Sequence, residues 1–429
     1  MATGQLKREL GVFGAVMMGL GSIIGTGVFI SIGIGAGIAG PAVILAIMLA
    51  AGVATCNGLS SAQLAANHPV SGGTYEYGYR YLNPRIGFVA GWTFLLAKSA
   101  SAATATLGFA GYLIDAVGLD IEFRVPLALG ATIILTIIVV GGIRRSNTFN
   151  TAIVTITLFT LGLFILFGIG SFDAANLSPF TETPNNENFI AALLQATALM
   201  FVAYTGYGRI ATLGEEVKEP QRTIPRAIIT ALIAIMVLYA LVAIIGVGTI
   251  GADNLAAATI TQAASLEVAA SSFDIPALPQ LITIGAITAM LSVLLNLILG
   301  LSRVLLAMGR RQDMPPIVAK LNEAGTTPYV AVVIMGGFIA LLTLVGDVRT
   351  TWTFSAFTVL IYYSITNLSA LQLKPEERLF PRWVSMLGLV ACLFLAFWVE
   401  VNVWLLGIGL IVAGLIWQQI ARFLFKQID

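Results

Sequence analysis

From residue 10 to residue 75 the chain carries no charged side chain, taking His68 as neutral. A hydrocarbon core of about 30 Å needs roughly 20 apolar residues in a helix. This run therefore predicts two membrane-spanning helices, divided near Gly40-Pro41. Further charge-poor stretches follow at 86–114, 125–143, 146–172, 188–208, 227–252, 275–302, 324–346, 350–373, 383–399 and 401–421. One charge interrupts them, Lys98 in the first. The stretches are continuously apolar rather than alternating, which excludes a membrane β-barrel. The expectation is an all-α integral membrane protein with twelve transmembrane helices, a single transmembrane unit over residues 1–429.

Composition agrees. The chain is 58% hydrophobic and 10% charged, against roughly 45–50% and about 25% in soluble domains. With 2 cysteines and 1 histidine, neither a disulfide scaffold nor a multi-histidine metal site is expected. No metal or cofactor enters the reading, and a net charge of +1 offers no basic surface to nucleic acid. All but three of the 22 lysines and arginines fall in segments that share one side if the N-terminus is cytoplasmic. The exceptions are Arg124 and Arg349 on the other side and Lys98 within a span. That bias predicts a cell-membrane protein with both termini in the cytoplasm. The apolar run after Lys7-Arg8 is longer than a cleavable signal's core, so it is expected to be retained.

Two predicted helices carry breakers at mid-span. The first contains Gly21, Gly25 and Gly27; the sixth contains Tyr204-Thr205-Gly206-Tyr207-Gly208, followed at once by Arg209. Each glycine weakens a helix by about 1 kcal/mol relative to alanine. Each of these helices is the first in a block of five, and paired interruptions of that kind point to a transporter site near the bilayer midplane. Backbone groups freed by an unwound turn must line a cavity or meet a ligand. Amides at a half-helix N-terminus suit a carboxylate, and carbonyls at a C-terminus suit an ammonium group. Together they suit an amino acid. The competing reading is close helix packing, because Gly21/Gly25 and Gly33/Gly37 are both GxxxG pairs.

Four stretches, 21–30 (GSIIGTGVFI), 69–92 (PVSGGTYEYGYRYLNPRIGFVAGW), 201–226 (FVAYTGYGRIATLGEEVKEPQRTIPR) and 302–316 (SRVLLAMGRRQDMPP), carry a family resemblance. In this order and spacing the chain resembles the amino acid–polyamine–organocation transporter superfamily over nearly its whole length. The resemblance implies a five-plus-five inverted repeat (10–172 and 188–373), with helices one and six unwound at mid-membrane. It also implies two further helices (383–421) and alternating access around a site between helices one, three, six, eight and ten. By position, Ile23, Thr26 and Gly27 would hold the substrate carboxylate, and Val202 and Thr205, with the Ile23 carbonyl, its amino group. Ser22, Gly25, Ala203, Gly206 and Tyr207 complete this implied binding set, with Tyr207 a candidate aromatic gate. Two positions depart from the family pattern. Gly208-Arg209 stands where relatives that take cations tend to have an acid, and Thr157 where many sodium-independent relatives have a lysine.

Lys98 is the one basic residue deep inside a span, where it costs about 2.5–3.5 kcal/mol on insertion scales. Four readings are open. It pairs with an acidic substrate, carries a proton, substitutes for a cation, or only caps helix-end carbonyls. A positive pocket disfavours cationic amino acids and polyamines. Small neighbours Ser99, Ala102, Ala103 and Thr106 leave room beside helix three or simply pack. Asn296, Leu297 and Tyr362 are further pocket candidates. Arg80, Arg209, Glu215, Glu216 and Arg303 suggest a cytoplasmic gate of ion pairs, against the plainer reading of solvated loops worth about 0–1 kcal/mol per pair. Cys56 and Cys392 read as packing residues. The expected function is secondary transport of amino acids, neutral or acidic before cationic, with protons as the candidate coupling ion. The alternatives are an exchanger without ion coupling and an uncoupled facilitator. An enzyme would need an intramembrane catalytic constellation, which the sequence lacks.

Overall fold

The computed structural model describes residues 10–69, 72–141, 147–184, 187–211, 217–261, 264–323 and 325–425, side chains 147–149 excepted. Each charge-poor stretch contains at least one helix among the described residues. The first run forms α1 (Val12–Ile23), α2 (Thr26–Phe29) and α3 (Ser31–Ala39), then α4 (Val43–Asn67). Gly40 turns the chain between α3 and α4 with φ +59°, beside the Glu182 carbonyl, where a Cβ would be both strained and crowded. The short α5 (Thr74–Tyr81) precedes α6 (Pro84–Val117), α7 (Arg124–Val140) and α8 (Asn147–Gly168). The second half runs α9 (Phe189–Tyr204), α10 (Gly208–Ala211), α11 (Pro220–Ile250), α12 (Ala252–Thr261), α13 (Ser265–Ser271) and α14 (Leu278–Arg310). It closes with α15 (Tyr329–Val345), α16 (Val348–Ala370), α17 (Arg382–Ala396) and α18 (Val401–Phe425).

Among the described residues, eight helical runs are long and apolar enough to cross a membrane, and α1, α15 and α17 are shorter apolar helices. α16 belongs to neither group because it carries many polar residues, and these are buried. Thr351, Ser355, Thr358, Tyr362, Tyr363 and Asn367 are all under one-tenth exposed. Several bond across the bundle: Ser101 Oγ to Ser355 Oγ at 2.7 Å, and Thr104 Oγ1 to Thr351 Oγ1 at 2.8 Å. The outward faces are apolar instead. Ile133, Ile134 and Ile137 on α7, Leu341 and Val345 on α15, and Leu387 and Val390 on α17 are all exposed. Apolar surface of that extent suits lipid rather than water.

α6 lies at the centre, packed on α14 and α16, while α4 packs on α11 and α9. Its small residues also let neighbours approach closely: Thr106 Oγ1 donates to the Ala128 carbonyl of α7 at 2.7 Å, and Ser99, Ala102 and Ala103 are buried. The glycine pairs also pack. A Cβ on Gly21 would strike Asn150 of α8, one on Gly25 would lie 2.6 Å from Val293 Cγ2 of α14, and one on Gly33 would strike Thr259 of α12. One end of the bundle gathers α5 and the C-terminal ends of α14 and α18, and we call it the basic end. The opposite end gathers Gly40, the turn at 174–177, and α12 and α13.

Candidate functional site

Helix one breaks between α1 and α2. Ile24 (φ −76°, ψ 111°) and Gly25 (φ 175°, ψ −121°) are extended, and α2 starts afresh at Thr26. A second kink follows at Ile30 (φ −131°, ψ −49°). Helix six does not open in this way. Thr205–Tyr207 tightens into a 3-10 turn between α9 and α10, so the expected unwinding is found in helix one and only as a tightening in helix six. The reason lies in its local bonds. Thr205 Oγ1 donates to the Val202 carbonyl at 2.7 Å, and the Thr205 carbonyl accepts from Tyr363 Oη at 3.0 Å. The loosened carbonyls are satisfied without extending the chain.

The two interruptions touch. A Cβ on Gly206 would collide with the Ser22 carbonyl and sit 2.7 Å from Ile23 Cγ1. Tyr239 of α11 ties both together, donating to the Ile23 carbonyl at 2.9 Å and lying 3.4 Å from the Ala203 carbonyl. Its hydroxyl also explains Gly27, whose Cβ would lie 2.6 Å from Tyr239 Oη. Asn296 of α14 reaches the Gly21 carbonyl and Ser22 Oγ, each at 3.4 Å.

A cavity of about 840 Å³, counting its open mouth, begins at this junction. Ser22, Lys98, Thr205, Gly206, Asn296, Leu297 and Tyr362 line it, and it extends toward the basic end past Gly72, Gly73, Arg209 and Arg303. Phe94, Val293 and Tyr363 complete its apolar wall. Phe94 packs on Tyr362 with ring centroids 5.3 Å apart, and Tyr362 on Tyr363 at 5.0 Å. Lys98 is 7% exposed, and its Nζ donates to Thr205 Oγ1 at 2.7 Å. Among the described residues no carboxylate pairs with it. The hydrogen-bond chain therefore runs from Lys98 to the Thr205 hydroxyl and on to the Val202 carbonyl.

Other expected residues lie elsewhere. Ile23, Gly25, Thr26, Gly27, Val202 and Ala203 do not line the cavity, and Val293 lies between it and Gly25. The Ile23 and Val202 carbonyls already accept from Tyr239 and Thr205. Tyr207 does not cover the cavity. It is fully buried, with its ring 5.3 Å from that of Tyr363. Thr157 bonds its own helix, Oγ1 to the Ile153 carbonyl at 3.0 Å, away from Lys98. Arg80 is exposed, over the Tyr81 ring, and does not reach the cavity mouth. Glu215 and Glu216 lie outside the described residues.

The described ion pairs at the basic end involve different groups. Arg311 Nε donates to Glu76 Oε1 at 3.1 Å, joining the end of α14 to α5. That carboxylate's hydrogen bond holds the Arg311 guanidinium above its ordinary pKa. Burial and nearby Arg80 push His68 below its ordinary value, so it stays neutral at pH 7. Asp313, 1% exposed, accepts from Tyr75 Oη at 3.0 Å and Gln418 Nε2 at 3.1 Å, and also from Tyr79 Oη. Arg422 Nε stands 3.8 Å away. Burial and Asp313 push Tyr79 up to about 12. This carboxylate locks α18 to α5.

The opposite end is sealed over the break. Tyr112 Oη donates to the Phe29 carbonyl at 3.1 Å, and Ser265 Oγ donates to the same oxygen at 3.0 Å. The Leu266 amide donates to Tyr112 Oη at 3.3 Å. Tyr112 and Tyr239 were not expected as functional residues. A tyrosine within an apolar span is the only signal the sequence holds for them.

Comparison with known proteins fits this architecture. The family model described as amino acid permease matches residues 14–425. An uncharacterized transporter of Mycobacterium tuberculosis (strain ATCC 25618 / H37Rv) is 39% identical over 92% of this chain and 86% of its own length. The branched-chain amino acid permease of Bacillus subtilis (strain 168) is 28% identical over 95% and 92%. The methylthioribose transporter of the same organism is 30% identical over 83% and 80%.

Proposed function

The chain belongs to the amino acid permease family, and from that premise we propose that it is a secondary transporter of amino acids, neutral or acidic before cationic, coupled to protons. It is a multi-pass membrane protein. In this reading there are twelve spans in a five-plus-five inverted repeat with two added helices, and the basic end faces the cytoplasm. The cavity then represents the inward-facing state, closed at the far end by Tyr112, Ser265 and Phe29.

The observation that carries the reading is the Lys98–Thr205 bond inside a buried cavity at the junction of the two interrupted helices. A buried ammonium with one neutral acceptor is held by less than its full complement of three bonds. The side-chain carboxylate of an acidic substrate would supply a charge-assisted partner, and loss of a proton would remove the need for one. Lys98 lines the cavity with no carboxylate paired to it among the described residues, which disfavours cationic substrates. The amides at 25–27 become available to a carboxylate once Val293 moves aside. The family match and the relatives' names support transport rather than an enzymatic role.

Reconstitution in liposomes tests this. Uptake of labelled amino acids, with methylthioribose as a non-amino-acid comparator, is measured with and without an inward proton gradient. The proposal expects uptake of neutral or acidic amino acids that rises with the gradient. Uptake that ignores the gradient and requires internal amino acid would mark an exchanger. Uptake of methylthioribose alone would move the substrate out of the amino-acid class.

A further inference from the structure

α13 is the plug of the sealed end, and its one charged residue, Glu267, does not face solvent freely. It lies against Asp115 at the end of α6 and Thr283 in the second turn of α14. Glu267 Oε2 is buried and accepts no hydrogen bond. Thr283 is 3% exposed, and its Oγ1, turned toward that carboxyl, likewise completes none. Tyr112, whose hydroxyl ties Phe29 to Leu266, lies within the field of both carboxyl groups. Two acidic groups and two incomplete hydrogen-bonding atoms thus meet at the joint between the plug and the helix it closes on.

Among the described residues, the surroundings supply no counter-charge. α14 has no charged residue before Arg303, and α11 has none beyond Arg226. α12 offers Asp253, which is exposed, and Asp274 is exposed past the end of α13. The nearest cation in the sequence, Arg124, donates to the Thr261 carbonyl and takes its electrostatic partner in Asp347. Two ionised carboxylates in such contact repel, and one shared proton turns repulsion into a hydrogen bond.

We propose that Asp115, Glu267 and Thr283 form a proton-binding site that holds α13 shut over the break while one proton is shared between the two carboxyl groups. The proton comes from solvent on that face and returns to it when α13 lifts. The site is distinct from Lys98 and governs closure of this end rather than substrate contact. The proposal rests on the transporter reading, but its test does not require transport. Burial, followed by the neighbouring Asp115, pushes Glu267 up to about 7. The closed state therefore keeps its proton below that pH and loses it as pH rises through about 7. Opening is hindered in acid and eased toward neutrality.

The test uses the full chain in nanodiscs with Cys56→Ala and Cys392→Ser and a reporter, Ala270→Cys. Ala270 is 1% exposed on the buried face of α13. The reporter's rate of labelling by a bulky thiol reagent is measured from about pH 5 to about pH 8. Each rate is divided by that of the same cysteine in denatured protein, which removes the thiol's own titration. The expected result is a rise of at least about fivefold that levels off above about pH 7. Glu267→Gln should keep labelling low throughout, and Asp115→Asn should act in the same direction. Thr283→Val should shift the rise to higher pH, because the hydroxyl favours the ionised carboxyl. A pH-independent rate in the parent, or an unaltered rise in Glu267→Gln, overturns the proposal. So does labelling that follows sodium at fixed pH. If the glutamine variant does not fold, Thr283→Val decides, and an unshifted midpoint overturns it. Loss of amino-acid uptake in every variant would count against the transporter reading and leave the labelling result standing.

Discussion

Lys98 Nζ and Thr205 Oγ1 stand 2.7 Å apart at the centre of the bundle, 107 residues apart in the chain. The contact joins helix three to the interrupted helix six, and Thr205 relays it to the Val202 carbonyl. A charge on Lys98 is therefore felt directly by the backbone of the 3-10 turn.

Lys98→Met should fold and insert, because it removes a costly buried charge. Proton-driven accumulation of substrate should fall by about tenfold or more, while binding of a neutral substrate survives. Thr205→Val should weaken the same function less, because it removes one acceptor and keeps the ammonium. Uptake in liposomes, paired with a binding titration, separates the two effects.

Gly206→Ala should fail for a steric reason. Its Cβ meets backbone, the Ser22 carbonyl, which cannot swing aside as a side-chain tip can. Overpacking of this kind costs about 1–3 kcal/mol. A lowered melting temperature and lost uptake are expected. Gly162→Ala is the control, since nothing lies within 4 Å of its Cβ, and it should keep uptake while holding or raising the melting temperature.

Tyr239→Phe keeps the ring and removes the hydroxyl that satisfies the Ile23 carbonyl at 2.9 Å. A buried acceptor left alone costs about 1–3 kcal/mol. Thermal stability should drop and the KM for substrate should change. An unaltered KM with lowered stability would make Tyr239 purely structural.

Asp313→Ala opens a buried cluster of Tyr75, Tyr79, Gln418 and Arg422. Removing one partner of a buried charged set costs about 3–5 kcal/mol. The variant should melt earlier. Arg422→Ala, at the exposed side of the cluster, should cost less. Differential scanning fluorimetry in detergent compares the two.

Much of this molecule is legible in its sequence because one solvent constraint dominates. Charge-free runs mark the helices, and Gly21 to Gly27 mark the break in helix one. Lys98 stands out because lipid would reject it. Helix six misled, since glycines at 206 and 208 suggest extension. Gly206 instead lets the turn approach Ser22, and a Cβ on Gly208 would meet Tyr363 Oη at 2.9 Å. Tyr239, Tyr363 and Asp313 act through partners more than 35 residues away. No local pattern distinguishes such a tyrosine from one that only fills space. The Glu76–Arg311 pair was missed for the same reason, as α5 and the end of α14 meet only when the halves assemble.

The most direct measurement is proton movement on substrate addition. Liposomes containing the protein and a luminal pH dye receive a transported neutral amino acid with no imposed gradient. The account predicts luminal acidification with the wild-type protein and none with Lys98→Met, although the variant still binds the amino acid. Acidification that persists in Lys98→Met, or uptake by the wild type with no proton movement at all, would contradict it.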